Sequence, residues 1–192
     1  HDAERARQRL ELTRGMIREG WGRPEEAYRQ FFTSLFLPGG SKVTQVQLDA
    51  LMQDVVLEVA PRAEELGLTI NVSRGQNLPM VLGDPDKLKE VFLNLIGNGM
   101  KFTEKGGAIT ISFNPLERQI EITFTDTGSG ISPEDLPKLF QKFGLLPGSY
   151  SISGTTSQGS GLGLYICKKI IDLHHGWIQA TSPGIGKGTR IV

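Results

Sequence analysis

The 192 residues carry 21 Lys and Arg against 21 Asp and Glu, with 38% hydrophobic and 22% charged residues. These values suit one or at most two compact domains with a buried core. The formal net charge of zero excludes a global electrostatic footprint for nucleic acid or an anionic membrane. Cys167 is the single cysteine, which excludes an internal disulfide and a cysteine-based zinc site. It reads as a small apolar helix residue in a reducing, cytoplasmic setting. No apolar stretch reaches bilayer-spanning length and no signal-peptide pattern opens the chain. The first residue, His1, is not Met, as expected for a piece of a longer protein.

Residues 2–20 are charged, with apolar points at Leu10, Met16 and Ile17, and read as a helix closed by Gly20 and Gly22. Pro24 suits a first helical turn, and 25–37 is a second helical candidate. Its apolar end, from Phe31 to Leu37, must bury against something. Pro38-Gly39-Gly40-Ser41 is the clearest linker, dividing the chain into a helical segment, 1–40, and a domain, 41–192. Leu48, Leu51, Val55, Val59 and Ala63 fall at helical spacing, so a helix is predicted to about Leu66, stopped by Gly67. Residues 68–72 alternate as a strand does. Asp84 followed by Pro85 is a helix start, and Leu88, Val91, Phe92, Leu95, Ile96 and Met100 give that helix one core face. Strands at 108–113 and 119–126 form a hairpin around Asn114 and Pro115. A short helix follows at 133–140, then the Gly-, Ser- and Thr-rich stretch 144–160, a helix at 162–173, and strands at 177–180 and 189–192. This order predicts a two-layer α/β sandwich, a mixed sheet packed against about three helices.

Three groups of residues carry chemistry. Asn94, Asn98 and Lys101 lie at i, i+4 and i+7, on one stripe beside the apolar face. Carboxamide oxygen and ammonium charge suit hydrated Mg²⁺ and phosphate, although a solvated helix face has the same composition. Asp126-Thr127-Gly128-Ser129-Gly130 ends a strand with a carboxylate able to accept from an exocyclic amine, beside glycines that let a flat ring approach; a plain Asp-Gly turn reads the same way. Gly159-Ser160-Gly161-Leu162-Gly163-Leu164 opens a helix, where free backbone amides attract phosphate. With no Lys-Ser/Thr after the glycines and no strand leading directly into them, this is neither a Walker loop nor a Rossmann turn.

The order Asn-x-x-x-Asn-x-x-Lys-Phe, Asp-x-Gly-x-Gly, Phe140-Gln141-Lys142-Phe143, Gly-x-Gly-x-Gly resembles the N, G1, F and G2 boxes of sensor histidine kinases. These carry a GHKL (Bergerat-fold) ATP-binding domain. The resemblance runs from about Val43 to Val192 and includes Gly83-Asp84-Pro85-Asp86 and Gly184-Ile185-Gly186-Lys187-Gly188-Thr189. The wording around Gly186 and the lid is similar to ethylene-receptor-like and bacterial hybrid kinases. The resemblance implies ATP and Mg²⁺ as ligands. Asn98 would hold the metal, Asn94 would support it or the phosphates, and Lys101 would contact phosphate. Phe102 would pack on the nucleotide, Asp126 would recognise the adenine amine, and Gly128 and Gly130 would line the purine pocket. Gly159, Gly161, Leu162 and Gly163 would cradle phosphates beneath a mobile lid. The implied partners are a histidine-bearing dimerisation domain and a response-regulator receiver domain, in a parent protein that is a homodimer.

The chain departs from the family pattern at Gly99, where Ala is usual, at Ser129, and at His175, where Gly is frequent. No Lys or Arg stands between Lys142 and Lys168, so the lid has no cation for the γ-phosphate. No acceptor motif surrounds His1, His174 or His175, so the phosphoacceptor is expected outside this chain or at its extreme N-terminus, and 1–40 reads as a remnant or divergent dimerisation region. Two other readings stay open: a degenerate kinase that holds nucleotide as an interaction module, and another GHKL ATPase or anti-sigma-type serine kinase.

Overall fold

The computed structural model describes residues 43–73, 75, 78–117, 119–142 and 161–192. The helical candidates at 2–20 and 25–37, the linker 38–41 and the stretch 144–160, Gly159 included, lie outside the described residues. From Thr44 onward the chain forms one unit.

A short strand, β1 (Thr44–Val46), leads into helix α1 (Leu48–Glu65). Leu48, Met52, Val55, Val59 and Ala63 are its buried stripe, with Met52 in the place that the sequence pattern gave to Leu51. Pro61 lies inside this helix, bracketed by two buried residues whose packing holds the turn. The end is a Schellman cap. Gly67 takes φ +66°, its N–H bonds to Glu64 O, and Leu68 N–H reaches back to Ala63 O, each at 2.9 Å.

Strands β2 (Thr69–Ser73) and β3 (Val81–Gly83) precede helix α2 (Pro85–Phe102). Asp84 caps α2: its Oδ1 accepts from Asp86 N and Lys87 N at 3.1 and 3.2 Å, and Pro85 fills the first turn where no donor is needed. Leu88, Val91, Phe92, Leu95, Ile96 and Gly99 are buried. The Phe92 ring meets that of Phe124 at 6.0 Å between centroids, joining helix to sheet.

Strands β4 (Ala108–Pro115) and β5 (Ile120–Asp126) form the hairpin. The turn lies further along than Asn114 and Pro115: both stay in β4, and Leu116 N–H to Gln119 O closes the loop. At the strand end Pro115 costs no ladder bond. The predicted helix at 133–140 is only one 3₁₀ turn, Leu136–Lys138, because Pro133 and Pro137 cannot donate to a helical ladder.

Helix α3 (Gly163–Leu173) is followed by β6 (Ala180–Thr181) and β7 (Thr189–Ile191). The strand predicted from Trp177 starts only where pairing does. His175 sits at φ +58°, turning the chain after α3, and the first ladder bonds join Gln179 and Val192. The main sheet runs β2-β4-β5-β7-β6, with β2 parallel to β4 and the other pairs antiparallel. β1 and β3 form a separate antiparallel pair. Among the described residues this is a mixed sheet with three helices, the predicted sandwich.

Candidate functional site

Helices α2 and α3 lie side by side, and paired contacts at successive positions set their register. Asn94 Oδ1 comes so close to Gly163 that a Cβ there would lie 2.8 Å from it. Further along, the Cys167 thiol faces Val91 O at 3.9 Å. At the far end Asp84 N–H donates to His174 Nε2 at 2.9 Å, and the other ring nitrogen, Nδ1, lies 2.8 Å from Ile170 O. Satisfying both bonds requires the proton on Nδ1. Both His174 nitrogens are therefore engaged, Nε2 across to the cap of α2 and Nδ1 within the last turn of α3. Burial, with the Glu90 charge second, pushes the Cys167 thiol up, so it is a core residue without thiolate character.

Asn94 and the start of α3 thus come together. The Asn94 amide nitrogen donates to Glu90 O at 3.0 Å, leaving its oxygen toward Gly163. Asn98 is half-buried one turn on, and among the described residues nothing engages its amide. The Lys101 ammonium lies over the Phe102 ring at 5.3 Å. Gly161 takes φ +68°, and Leu162, almost fully buried, accepts from Ile166 N–H in the first turn of α3. Glu90, half-buried one turn before Asn94, has its carboxyl held above the usual range by desolvation, against a smaller opposing effect of Lys87.

Asp126 ends β5 opposite Thr189 of β7. Its Oδ1 accepts Gly128 N–H at 2.9 Å and Thr189 N–H at 3.2 Å. Nothing bonds to Oδ2 among the described residues. Burial pushes this carboxyl above the ordinary Asp value, and the two N–H bonds offset part of that rise. A desolvated carboxylate with one oxygen open is poised for a donor.

The glycines around it are packing necessities. A Cβ on Gly128 would strike Phe102 O, one on Gly188 would strike Asp126 O, and one on Gly130, at φ +64°, would strike Gly184 O. Ser129 N–H bonds to Phe102 O at 2.9 Å, tying this loop to the end of α2. Gly186 N–H and Gly188 N–H bond to Ser129 O and Gly128 O at 2.6 and 3.0 Å. The site therefore has a wall that the motif reading left without a role, the loop from Ser182 to Thr189. The phrase Gly184-Ile185-Gly186-Lys187-Gly188-Thr189 was the available signal, through its three glycines at positive φ.

Comparison with known proteins identifies the family. Residues 83–192 match the family described as histidine kinase-, DNA gyrase B- and HSP90-like ATPase. The non-motile and phage-resistance protein of Caulobacter vibrioides is 35% identical over 154 residues, which are 78% of this chain and 18% of that protein. The signal transduction histidine-protein kinase BaeS of Escherichia coli is 36% identical over 136 residues, 68% of this chain and 28% of BaeS. The chain thus spans less than a third of the length of these relatives. In fold, it is similar to the mycobacterial sensor histidine kinase MprB, with a TM-score of 0.64 at 24% identity, covering 78% of this chain and 94% of that one.

Proposed function

Because the chain belongs to the histidine kinase-, DNA gyrase B- and HSP90-like ATPase family, we propose that it is the catalytic domain of a two-component sensor kinase, using ATP and Mg²⁺ to phosphorylate a histidine on a separate dimerisation element. The observation that carries this reading is Asp126. Its carboxylate is desolvated, pinned at Oδ1 by two backbone donors and open at Oδ2, which suits the exocyclic amine of adenine. Gly128 and Gly130 let the backbone pack tightly around the carboxylate, against Phe102 O and Gly184 O, as the wall of the proposed base pocket. Gly163, which opens α3, lies against Asn94, and with Gly161 two residues before it suits the phosphates.

Asn98, a hard-oxygen donor on the same stripe as Asn94, would hold Mg²⁺, with phosphate and water completing its shell. When bound, the metal would neutralise phosphate charge, which phosphoryl transfer requires. The chain's own part is positioning. Asp126 orients the base, Lys101 adds positive charge near the phosphates, and the start of α3 presents backbone amides. A response-regulator receiver domain is the proposed downstream partner, and the parent protein is proposed to be a homodimer. No described helix is long and apolar enough to cross a membrane.

The test is calorimetric titration of ATP with and without Mg²⁺, then phosphotransfer to a supplied histidine-bearing hairpin. Binding plus acid-labile, base-stable label on the hairpin supports the reading. One feature favours a second reading, a nucleotide-holding interaction module: residues 143–167 contain no Lys or Arg. Tight ATP binding without any label on the hairpin supports that module and overturns the kinase. Failure to bind adenine nucleotides overturns both.

A further inference from the structure

Ser182, just after β6, carries no role in the motif reading, yet its hydroxyl is fully used. Oγ accepts Ile131 N–H at 3.0 Å and Gly184 N–H at 3.3 Å, and it donates to Gly188 O at 2.7 Å, with Gly184 O a more distant alternative at 3.3 Å. A hydroxyl has one proton and two lone pairs, so donation to Gly188 O and acceptance from Ile131 N–H and Gly184 N–H saturate it. The two segments it joins are the walls around Asp126. Ile131 N–H belongs to the Gly130–Ile131 peptide, at the exit of the Asp126–Gly130 loop. Gly188 O belongs to the peptide whose other end is Thr189 N–H, the donor to Asp126 Oδ1. A hydrogen-bonded relay therefore runs from Ser182 Oγ–H through the Gly188–Thr189 peptide to Asp126. Bonds in such a chain polarise one another.

We propose that Ser182 is a positioning residue for adenine recognition, fixing the Gly188–Thr189 peptide so that Asp126 presents Oδ2 toward the base. The inference rests on the ATP-site reading above. The loop needs this anchor because its own residues resist it little: Gly184, Gly186 and Gly188 all take positive φ, and a Cβ added at Gly184 or Gly186 would meet nothing within 4 Å. Flexible glycine backbone becomes a defined wall through the bonds to Ser182 and to the loop after Asp126.

The effect belongs to the base and not to the phosphates. Ser182→Ala should weaken ATP, ADP and AMP binding by the same factor, on the order of tenfold, the loss of roughly one hydrogen bond. It should narrow the preference for ATP over GTP by a similar factor. Ser182→Thr, which keeps the hydroxyl, should restore both. NMR titration of the Asp126 carboxyl provides a readout without nucleotide. Loosening the Thr189 N–H bond removes a contact that lowers this pKa, so Ser182→Ala should raise it further above the wild-type value. Should the alanine variant not fold, Ser182→Cys, with its weak donor, replaces it in every arm.

A loss of melting temperature with the ATP-to-GTP ratio and the Asp126 titration unchanged would mean a merely structural serine and overturn the proposal. Wild-type protein with no adenine preference would overturn the ATP-site reading, and this inference with it. Preference present in wild type, lost in Asp126→Asn and intact in Ser182→Ala, would overturn this inference alone.

Discussion

Substituting Asp126 with Asn separates the carboxylate's backbone bonds from its proposed contact with adenine. The amide oxygen can still accept Gly128 N–H and Thr189 N–H, now held at 2.9 and 3.2 Å. The amide nitrogen then takes the place of Oδ2 and turns a donor toward the adenine amine, itself a donor. The loss is one charge-assisted hydrogen bond, about 1.5–3 kcal/mol, or roughly 10- to 150-fold in Kd. Stability without nucleotide should not fall. Burial raises the folded-state pKa of Asp126, so the charged form opposes folding at neutral pH, and a neutral amide removes that opposition. Asp126→Ala differs, because it leaves two part-buried N–H groups without an acceptor, costing about 1–3 kcal/mol. For a domain of this size that is a drop of about 2–4 °C in melting temperature per kcal/mol. Calorimetric titration with ATP and thermal melts of both variants read the two effects. Unchanged ATP affinity in Asp126→Asn, or equal thermal losses in the two variants, would refute the reasoning.

Four further outcomes are expected. ATP affinity should fall as pH drops through the Asp126 pKa, since protonation removes the acceptor, and the fall should begin at higher pH than for an ordinary Asp because burial raises that pKa; a pH series of titrations measures it. Gly97→Ala should stabilise the nucleotide-free domain by about 1 kcal/mol, as a Cβ there meets nothing within 4 Å, whereas Gly99→Ala should gain less, its Cβ falling 3.1 Å from Ile109 Cδ1; chemical denaturation compares them. His175→Gly should stabilise by about 1 kcal/mol, because His175 holds a left-handed backbone, φ +58°, that costs an L-residue; melting reports it. His174→Ala should destabilise by about 1–3 kcal/mol through the orphaned Asp84 N–H, and γ-labelled ATP should leave no label on His174 in the wild-type chain, since both ring nitrogens are engaged.

Local chemistry made α2 readable almost to the residue: Asp84 and Pro85 announce its start, and the offsets from Leu88 to Ile96 fix its buried face. Helix α1 was readable despite Pro61, since buried Val59 and Ala63 on either side keep the apolar stripe continuous. Proline misled at 133–140, where apolar residues suggest a helix but two missing donors allow one turn. Asp126 was visible as a carboxylate at a strand end beside two glycines. Its second backbone donor was not, because Thr189 comes from a strand whose register no local pattern encodes. Ser182 and His174 were obscure for the same reason. A lone serine after a strand and a histidine after a helix acquire partners only when remote segments meet.

The bond from Thr189 to Asp126 joins residues 63 apart in sequence. A partly folded chain with β5 formed and β7 undocked would have the carboxylate without its pocket. Nucleotide should therefore be blind to such intermediates and select the fully assembled sheet. Through mass action, ligand at a hundred times its Kd deepens the native state by about 2.7 kcal/mol. That increment belongs to the whole cooperative unit, so amides of β5 and β7 should slow together in hydrogen exchange when ATP binds. In a cell, the nucleotide pool would thereby act as a folding chaperone of the simplest kind, holding closed a site that a glycine-rich loop alone could not.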